Sequence, residues 1–423
     1  MNSKKSLTGI FTALTLAGSN PVFASPPPEE AVAVATSPFI DQQDFEALRD
    51  WIATKRQVSI KQIGGDLSLS GEIRTELQAA SEYQNGKKVR GPNSPYPNRP
   101  TTAYDIEVNI MLDYRAEASW GSIKLEFDND AGNNLNIFDN VSLERAYYGF
   151  RVVNKEVFTT DLELGRRNFG TVFDSKVQFG SFMDGILLRM DYATEKAGDP
   201  YLRAGPFLIN EKQDQYGWVG EIGVLNILDT GLYLKYSVID WDTKSFANPK
   251  LAQLYRFLNS QVTGGYKFVP SWLNQTVTLY GAYLVNHKAI GVAQTNGELA
   301  NKAWYTGFSI GKVRKKGDWS MDVSYQYVQA QAVPDYDVSG IGKGNAAGIG
   351  FYVIKPSDPN SDYTTIKNAF GRVNYQGING ELLYLFQDNI TIYQSYCYSW
   401  NANSNIGPKT KFSQYEVEII YAF

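Results

Sequence analysis

The sequence predicts an all-β chain: a transmembrane antiparallel up-and-down β-barrel of about sixteen strands, within a range of roughly 14–18, preceded by a short helix. Three observations predict it. Apolar residues recur with period two over most of the chain. Tight and long connections alternate between these stretches. The chain carries 28 Tyr, 22 Phe, 8 Trp and 37 Gly, yet no segment approaches the ~18 consecutive apolar residues of a membrane-spanning helix. A barrel reconciles aromatic enrichment with the missing apolar runs, because its lipid-facing side chains occupy only every second position.

The elements follow in order. Lys4 and Lys5 form a basic start, Leu7 to Ala17 is a short apolar-rich run, and Val22-Phe23-Ala24 offers a small residue before Ser25. That is the layout of an export signal, so residues 1–24 are expected to be a cleaved signal peptide. The apolar run is too short to span a bilayer, and Pro26-Pro27-Pro28 cannot continue a helix. Residues 25–38 are rich in Pro and Ala and read as a linker. From Asp41 to Lys55, Phe45, Leu48 and Ile52 recur at i, i+3 and i+7 among charges, the spacing of an amphipathic helix. Residues 25–65 are thus expected to form a periplasmic linker and helix, either a stalk before the first strand or a small plug. Residues 66–423 form the barrel.

From Asp66 the period changes to two. Strands are expected near 66–82, 102–118, 121–131, 140–153, 157–168, 182–193, 200–210 and 216–228 in the first half. In the second half they fall near 231–241, 259–270, 274–287, 302–315, 318–331, 367–386, 390–401 and 411–423. Tyr104 to Ala118 is the clearest: Tyr104, Ile106, Val108, Ile110, Leu112 and Tyr114 fall on one face, Asp105, Glu107, Asn109, Asp113 and Arg115 on the other. Tyr104 and Tyr114 would stand ~23–25 Å apart along the membrane normal, the spacing of two aromatic girdles. Ile123, Leu125 and Phe127 alternate with Lys124, Glu126 and Asp128; Phe158, Leu162 and Leu164 alternate with Asp161, Glu163 and Gly165. Val277, Leu279, Gly281, Tyr283 and Val285 mark a later strand. Trp319, Met321, Val323, Tyr325 and Tyr327 alternate with Ser320, Asp322, Ser324 and Gln326.

Tight turns are expected at Trp120, Asn154–Glu156, Asp229–Thr230, Ser271–Leu273, Lys316–Gly317 and Gln387–Asn389. Long polar joins fall between them at 83–101, 169–181, 242–258, 288–301 and 332–366, with 211–215 the weakest member of that set. Short turns at one rim and long loops at the other produce this alternation. An even strand count places both chain ends on the turn side.

Composition narrows the function. Without residues 1–24 the chain has 38 basic against 44 acidic side chains, a net charge of −6, and no basic tract suited to nucleic acid. A single cysteine, Cys397, cannot form an intramolecular disulfide. His287 is the only histidine, and no nucleophile elbow, phosphate loop or metal-spaced His/Cys cluster accompanies it. Neither an enzyme nor a bound cofactor or metal is expected.

The last strand carries the most specific local signal. Counting back from the end, Phe423, Tyr421, Ile419, Val417 and Tyr415 alternate with Ala422, Ile420, Glu418 and Glu416. A terminal Phe after alternating apolar residues resembles the recognition signal of bacterial outer-membrane barrels, which their barrel-assembly machinery reads during insertion. Two further stretches resemble the porins of chlamydia-like bacteria that live in amoebae. One runs from Ala47-Leu48-Arg49-Asp50-Trp51-Ile52 through Ile63-Gly64-Gly65-Asp66-Leu67 to Leu69-Ser70-Gly71-Glu72-Ile73-Arg74. The other runs from Arg166-Arg167-Asn168-Phe169 through Val172 to Phe179 and closes on Asp184-Gly185-Ile186-Leu187-Leu188. The single Cys sets the chain apart from the cysteine-rich major outer-membrane proteins of pathogenic chlamydiae.

The resemblance implies a porin of the Gram-negative outer membrane, passing ions and small hydrophilic solutes, with outer-membrane lipid around it. General porins of this size are commonly homotrimers, so a homotrimer is the implied assembly. A substrate-specific channel or receptor gated by the N-terminal segment or loops, and a structural or adhesive barrel, are the alternatives. Parity puts Arg145, Arg151, Arg167 and Arg189 on neighbouring inner walls, with Asp161 and Glu163 among them, while Arg166 has the wrong parity. In general porins the third loop folds into the pore and sets acidic residues opposite a basic ladder. Carried over, Asp174 and Lys176 in 169–181 would join those arginines at a constriction; alternatively these are paired wall charges with no filtering role, or Phe169, Phe173 and Phe179 pack that loop against the wall.

Overall fold

A computed structural model gives the fold. It describes residues 58–62, 65–95, 99–130, 140–168, 170, 172–180, 182–194, 197–211, 214–241, 256–291, 297–335, 337–345 and 373–423. The expected signal segment, linker and helix of residues 1–55 lie outside the described residues.

The strands are β1 Val58–Gln62, β2 Gly65–Gln84, β3 Lys87–Lys88, β4 Thr102–Arg115, β5 Ser119–Asp130 and β6 Asn140–Asn154. They continue with β7 Phe158–Asn168, β8 Phe182–Tyr192, β9 Asp199–Asn210, β10 Gln215–Ile227, β11 Leu232–Trp241 and β12 Phe257–Phe268. The last are β13 Val277–Asn286, β14 Lys302–Gly311, β15 Trp319–Val328, β16 Tyr375–Gln387, β17 Ile390–Asn401 and β18 Thr410–Ala422. All join one 18-stranded sheet. Sixteen of them, β2 and β4 to β18, form an antiparallel wall in chain order, and β18 closes on β2 from Thr410↔Gln84 to Ala422↔Glu72. Closure leaves no long unpaired edge in the wall.

Sequence and structure agree on all sixteen wall strands to within a few residues, except at β16, which begins at Tyr375 rather than near residue 367. Two small strands are additions. Val58–Gln62, expected within the linker, pairs antiparallel with the start of β2. It lies on the side of β2 that β18 vacates below Phe423. β3 folds back on β2 within the expected long join. Trp120 lies in β5 rather than in a turn.

Alternation explains why these residues form strands. Along β15, Ser320, Asp322, Ser324, Gln326 and Val328 are buried inside, and Trp319, Met321, Val323, Tyr325 and Tyr327 are turned out. The outward set continues round the wall in Leu69, Ile73 and Leu77, Tyr104 and Ile106, Tyr148 and Phe150, Trp218 and Ile222, Tyr236, Tyr283, Ile378 and Ile419, all exposed. A continuous apolar belt of this extent is far larger than the patches water tolerates on a monomer. No helix among the described residues is long and apolar enough to cross a membrane.

β6 shifts register twice, against β7 between Arg151 and Val153 and against β5 nearer its start. Its pairing with β5 shifts between Lys124↔Arg145 and Leu125↔Leu143. This bulge reverses the parity of β6 midway. Val141 and Leu143 before it, and Tyr148, Phe150 and Val152 after it, therefore all face outwards. The last residue is tied to the first wall strand: Gly71 and Phe423 exchange backbone hydrogen bonds of 3.0 and 2.9 Å. Phe423, Tyr421, Ile419, Val417 and Tyr415 share the outward face of β18, where the Tyr415 hydroxyl donates to Gln394 at 2.8 Å.

Candidate functional site

The interior is divided by two loops that turn inwards. The first is 169–181, between β7 and β8. Val172, Phe173, Val177 and Phe179 are fully buried. Phe179 packs on Phe207 of β9 and Trp241 of β11, with ring centroids 5.4 and 5.7 Å away, and on Phe173 at 6.2 Å. Phe169 lies outside the described residues.

The wall also takes up the loop's charges. Lys176 Nζ meets Asp322 of β15 at 3.0 Å, and Tyr280 donates to both oxygens of that carboxylate. Asp174 accepts from Lys235 of β11 at 2.5 Å, while its backbone N–H donates to Glu221. Charges removed from water need such partners.

The second inward loop follows β15. Val338 bridges Gln178 as a single antiparallel pair. The N–H of Phe179 donates to Asp337, and that of Ser339 to the Val177 carbonyl. Ala330, Ala332, Val333, Val338 and Ile341 are buried in the same cluster as Phe173 and Phe179. The sequence reading treated 332–366 as a polar external join and missed this. The signal available was the apolar trio Val333, Val338 and Ile341 in an otherwise polar stretch.

Among the described residues the two loops cover mainly β10 to β15, and the second also reaches β16 to β18, where Gly344 lies against Phe412 and Gln414. On β10 to β15 the inward polar residues are sealed: Glu221, Lys235, Ser237, Gln261, Thr263, Ser309, Asp322 and Gln326 are all buried. On β4 to β8 some inward charges keep contact with solvent, although Glu72, Lys124, Asp161 and Glu163 on the same side of the barrel are buried. Glu107, Glu126, Arg151 and Arg189 have side chains 24 to 34% exposed.

The rest of the inner wall is sorted by charge. Arg145 and Arg151 of β6, Arg167 of β7 and Arg189 of β8 point inwards on neighbouring strands. Arg151 pairs with Asp161 at 2.9 Å, Arg189 with Glu163 at 3.4 Å, and Arg167 also with Glu163 while lying 4.8 Å over the Tyr147 ring. Sequence reasoning missed Arg203 of β9, the direct cross-strand neighbour of Arg189. It also missed that Trp120 reaches from β5 past β6 to Glu163 at 3.2 Å. That reach needs Gly149 between them, where a Cβ would sit 2.5 Å from the indole. Arg166 faces outwards, as its parity implied, and pairs with Asp184 at 2.7 Å at the loop end of the wall.

On β2, β4, β5 and β6, acids and bases interleave. Arg74 pairs with Glu72 and Glu107, and Lys124 with Glu144 and Glu126. β16 to β18 are different, because none of their inward positions is basic. Glu381, Glu416 and Glu418 lie there, with Glu76 of β2 directly across from Glu418. The carboxylate oxygens of Glu76, Glu416 and Glu418 come within 4.8 Å of one another, the one grouping among the described residues able to hold a metal ion.

Asp174 and Lys176 sit on an inward loop, and each pairs with a wall residue, Asp174 with Lys235 and Lys176 with Asp322. The negative side of the open lumen belongs to the barrel wall itself. His287 lies away from the lumen, exposed on the outer face, with Nε2 2.6 Å from Ser260 Oγ.

No family model matches the chain, and no curated protein matches it. Solved structures do. A mutant of the Rh. blastica porin is 11% identical with a TM-score of 0.42, covering 84% of this chain and all of its own. A triple mutant of the Rhodopseudomonas blastica porin is 12% identical at a TM-score of 0.41, over the same 84%. The outer-membrane channel DcaP of Acinetobacter baumannii is 11% identical at a TM-score of 0.46, covering 86% of this chain and 99% of its own. The solved structures this chain is similar to are thus bacterial porins and an outer-membrane channel.

Proposed function

We propose that this chain is an outer-membrane porin that passes ions and small hydrophilic solutes by passive diffusion. The observation that carries it is the contrast between two parts of the inner wall. Two loops bury inward polar residues of β10 to β15, while Glu107, Glu126, Arg151 and Arg189 on β4 to β8 stay partly exposed. A sixteen-stranded barrel is too wide for wall side chains alone to fill. In this reading the path is a crescent with the arginines of β6 to β9 on one flank and the carboxylates of β16 to β18 on the other. Charges are tolerated there because they meet water and never lipid. A polar solute is oriented between the flanks, and an apolar one loses more hydration than it regains.

Several finer elements belong to the same proposal. Residues 1–24 direct export, and the alternating residues from Tyr415 to Phe423 serve the assembly machinery. Lipid surrounds the outer belt, and three copies associate. The resemblance of 47–74 and 166–188 to porins of chlamydia-like bacteria supports this placement.

The test is conductance. Purified mature protein in planar bilayers gives steady steps without any ligand. Steps that appear only after deletion of residues 25–65 would assign that segment as a plug, and silence in both forms would leave a structural barrel.

A further inference from the structure

Lysines cluster on the outer surface at the loop end of the barrel seam. The register of four strands puts Trp400 of β17, Lys411 of β18, Tyr83 of β2 and Lys88 of β3 side by side in one row. Cross-strand partners point to the same face, and this face is the outer one: Tyr83 is exposed, while its neighbours Glu82, Val89 and Phe412 are buried inside. The hairpin that delivers Lys88 turns through Asn85 and Gly86, with φ of 49° and 79°, the pairing a tight two-residue turn demands. Lys409 follows the same parity as Lys411 and is tied to Asn85, whose side chain accepts from its N–H at 3.0 Å.

The height of this row is set by its aromatic neighbours. Trp304, Tyr325, Tyr327, Tyr398 and Trp400 pack ring to ring along β14 to β17 at 5.5 to 6.5 Å. Such a girdle marks the level where hydrocarbon gives way to headgroups. Lys411 and Lys88 continue that ring, ~10 Å apart on either side of Tyr83. The row contains no carboxylate: the nearest acid in sequence, Glu82, points inwards and is held by Arg90 at 3.3 Å. Unbalanced ammonium groups at headgroup level attract anionic lipid, and their aliphatic stems lie along the apolar belt below.

We propose that Lys88 and Lys411, with Tyr83 between them and Lys409 above, form a docking site for a phosphate-bearing lipid headgroup of the leaflet at the loop end. The assignment rests on the reading of the chain as a membrane barrel. Each lysine at such a surface contributes about fivefold in affinity, so the pair contributes roughly 20- to 30-fold.

The test titrates full-length protein in neutral detergent with bisphosphorylated lipid A or its dephosphorylated form, counting retained lipids by native mass spectrometry. The phosphorylated lipid is retained selectively, and inorganic phosphate does not displace it. K88Q/K411Q loses that selectivity by roughly 20- to 30-fold, K88R/K411R keeps it, and single-channel conductance is the same in all three. Equal retention by K88Q/K411Q overturns the site, as does a change in oligomer mass in its place, which would make the row a contact between copies. A protein that conducts normally while showing either result leaves the channel reading standing. A protein that never enters bilayers removes both.

Discussion

At the scale of single residues, the inward loop is held by groups that cannot be removed cheaply. Asp322 is fully buried, and its charge is balanced by Lys176. Lys176→Met should strand that carboxylate and cost about 3–5 kcal/mol. In detergent this reads as a lower temperature for loss of the folded, heat-modifiable band, while Asp322→Asn with Lys176→Met should recover part of the loss. Phe179 adopts φ 66°, the left-handed region, although it is a bulky aromatic. That conformation costs about 1–3 kcal/mol, and the packing on Phe207 and Trp241 offsets it. Phe179→Ala should therefore cost about 3–5 kcal/mol, and Phe179→Gly measurably less, because glycine removes the backbone strain. Equal losses in the two variants would show that the strain is not real. Arg189 and Arg203 face each other on the open wall, so Arg189→Gln with Arg203→Gln should move the reversal potential in a salt gradient towards cation preference.

At the scale of elements, what the sequence revealed depended on what surrounds each strand. Where lipid lies on one side and water on the other, alternation is forced, and β4, β15 and β18 are legible residue by residue. β9 is not. Its outward Leu202, Ala204, Pro206 and Leu208 and its inward Tyr201, Gly205 and Phe207 are both largely apolar, and of the inward set Phe207 meets the aromatic cluster around Phe179. That concealed the parity of Arg203. The inward course of 329–345 was hidden for a related reason. Its apolar residues join a cluster with the first inward loop, far away in sequence, and nothing local distinguishes them from loop residues. The pairing of Asp174 and Lys176 with the wall follows from desolvation: a loop that buries its aromatics against the wall must also bring its charges to partners there. A prediction belongs at this scale. Replacing residues 172–180 by a flexible glycine-serine segment should uncover β10 to β15 and raise the conductance step. An unchanged step would mean that the loop does not limit the path.

At the scale of the whole molecule, one physical condition organises the chain: two solvents separated by one layer of strands. The outer belt of apolar residues, the aromatic girdle, the closure of β18 on β2 and the charge-lined crescent all follow from it. Labels placed along β4 test it most directly. In a Cys397→Ala background, spin labels at successive positions 106 to 112 in lipid vesicles report collisions with oxygen, which concentrates in hydrocarbon, and with a water-soluble nickel chelate. Labels at Ile106, Val108, Ile110 and Leu112 should favour oxygen, and those at Glu107 and Asn109 the chelate, with a strict period of two. An aqueous signal at both Val108 and Glu107, or accessibility with no such period, would contradict a strand that separates lipid from water.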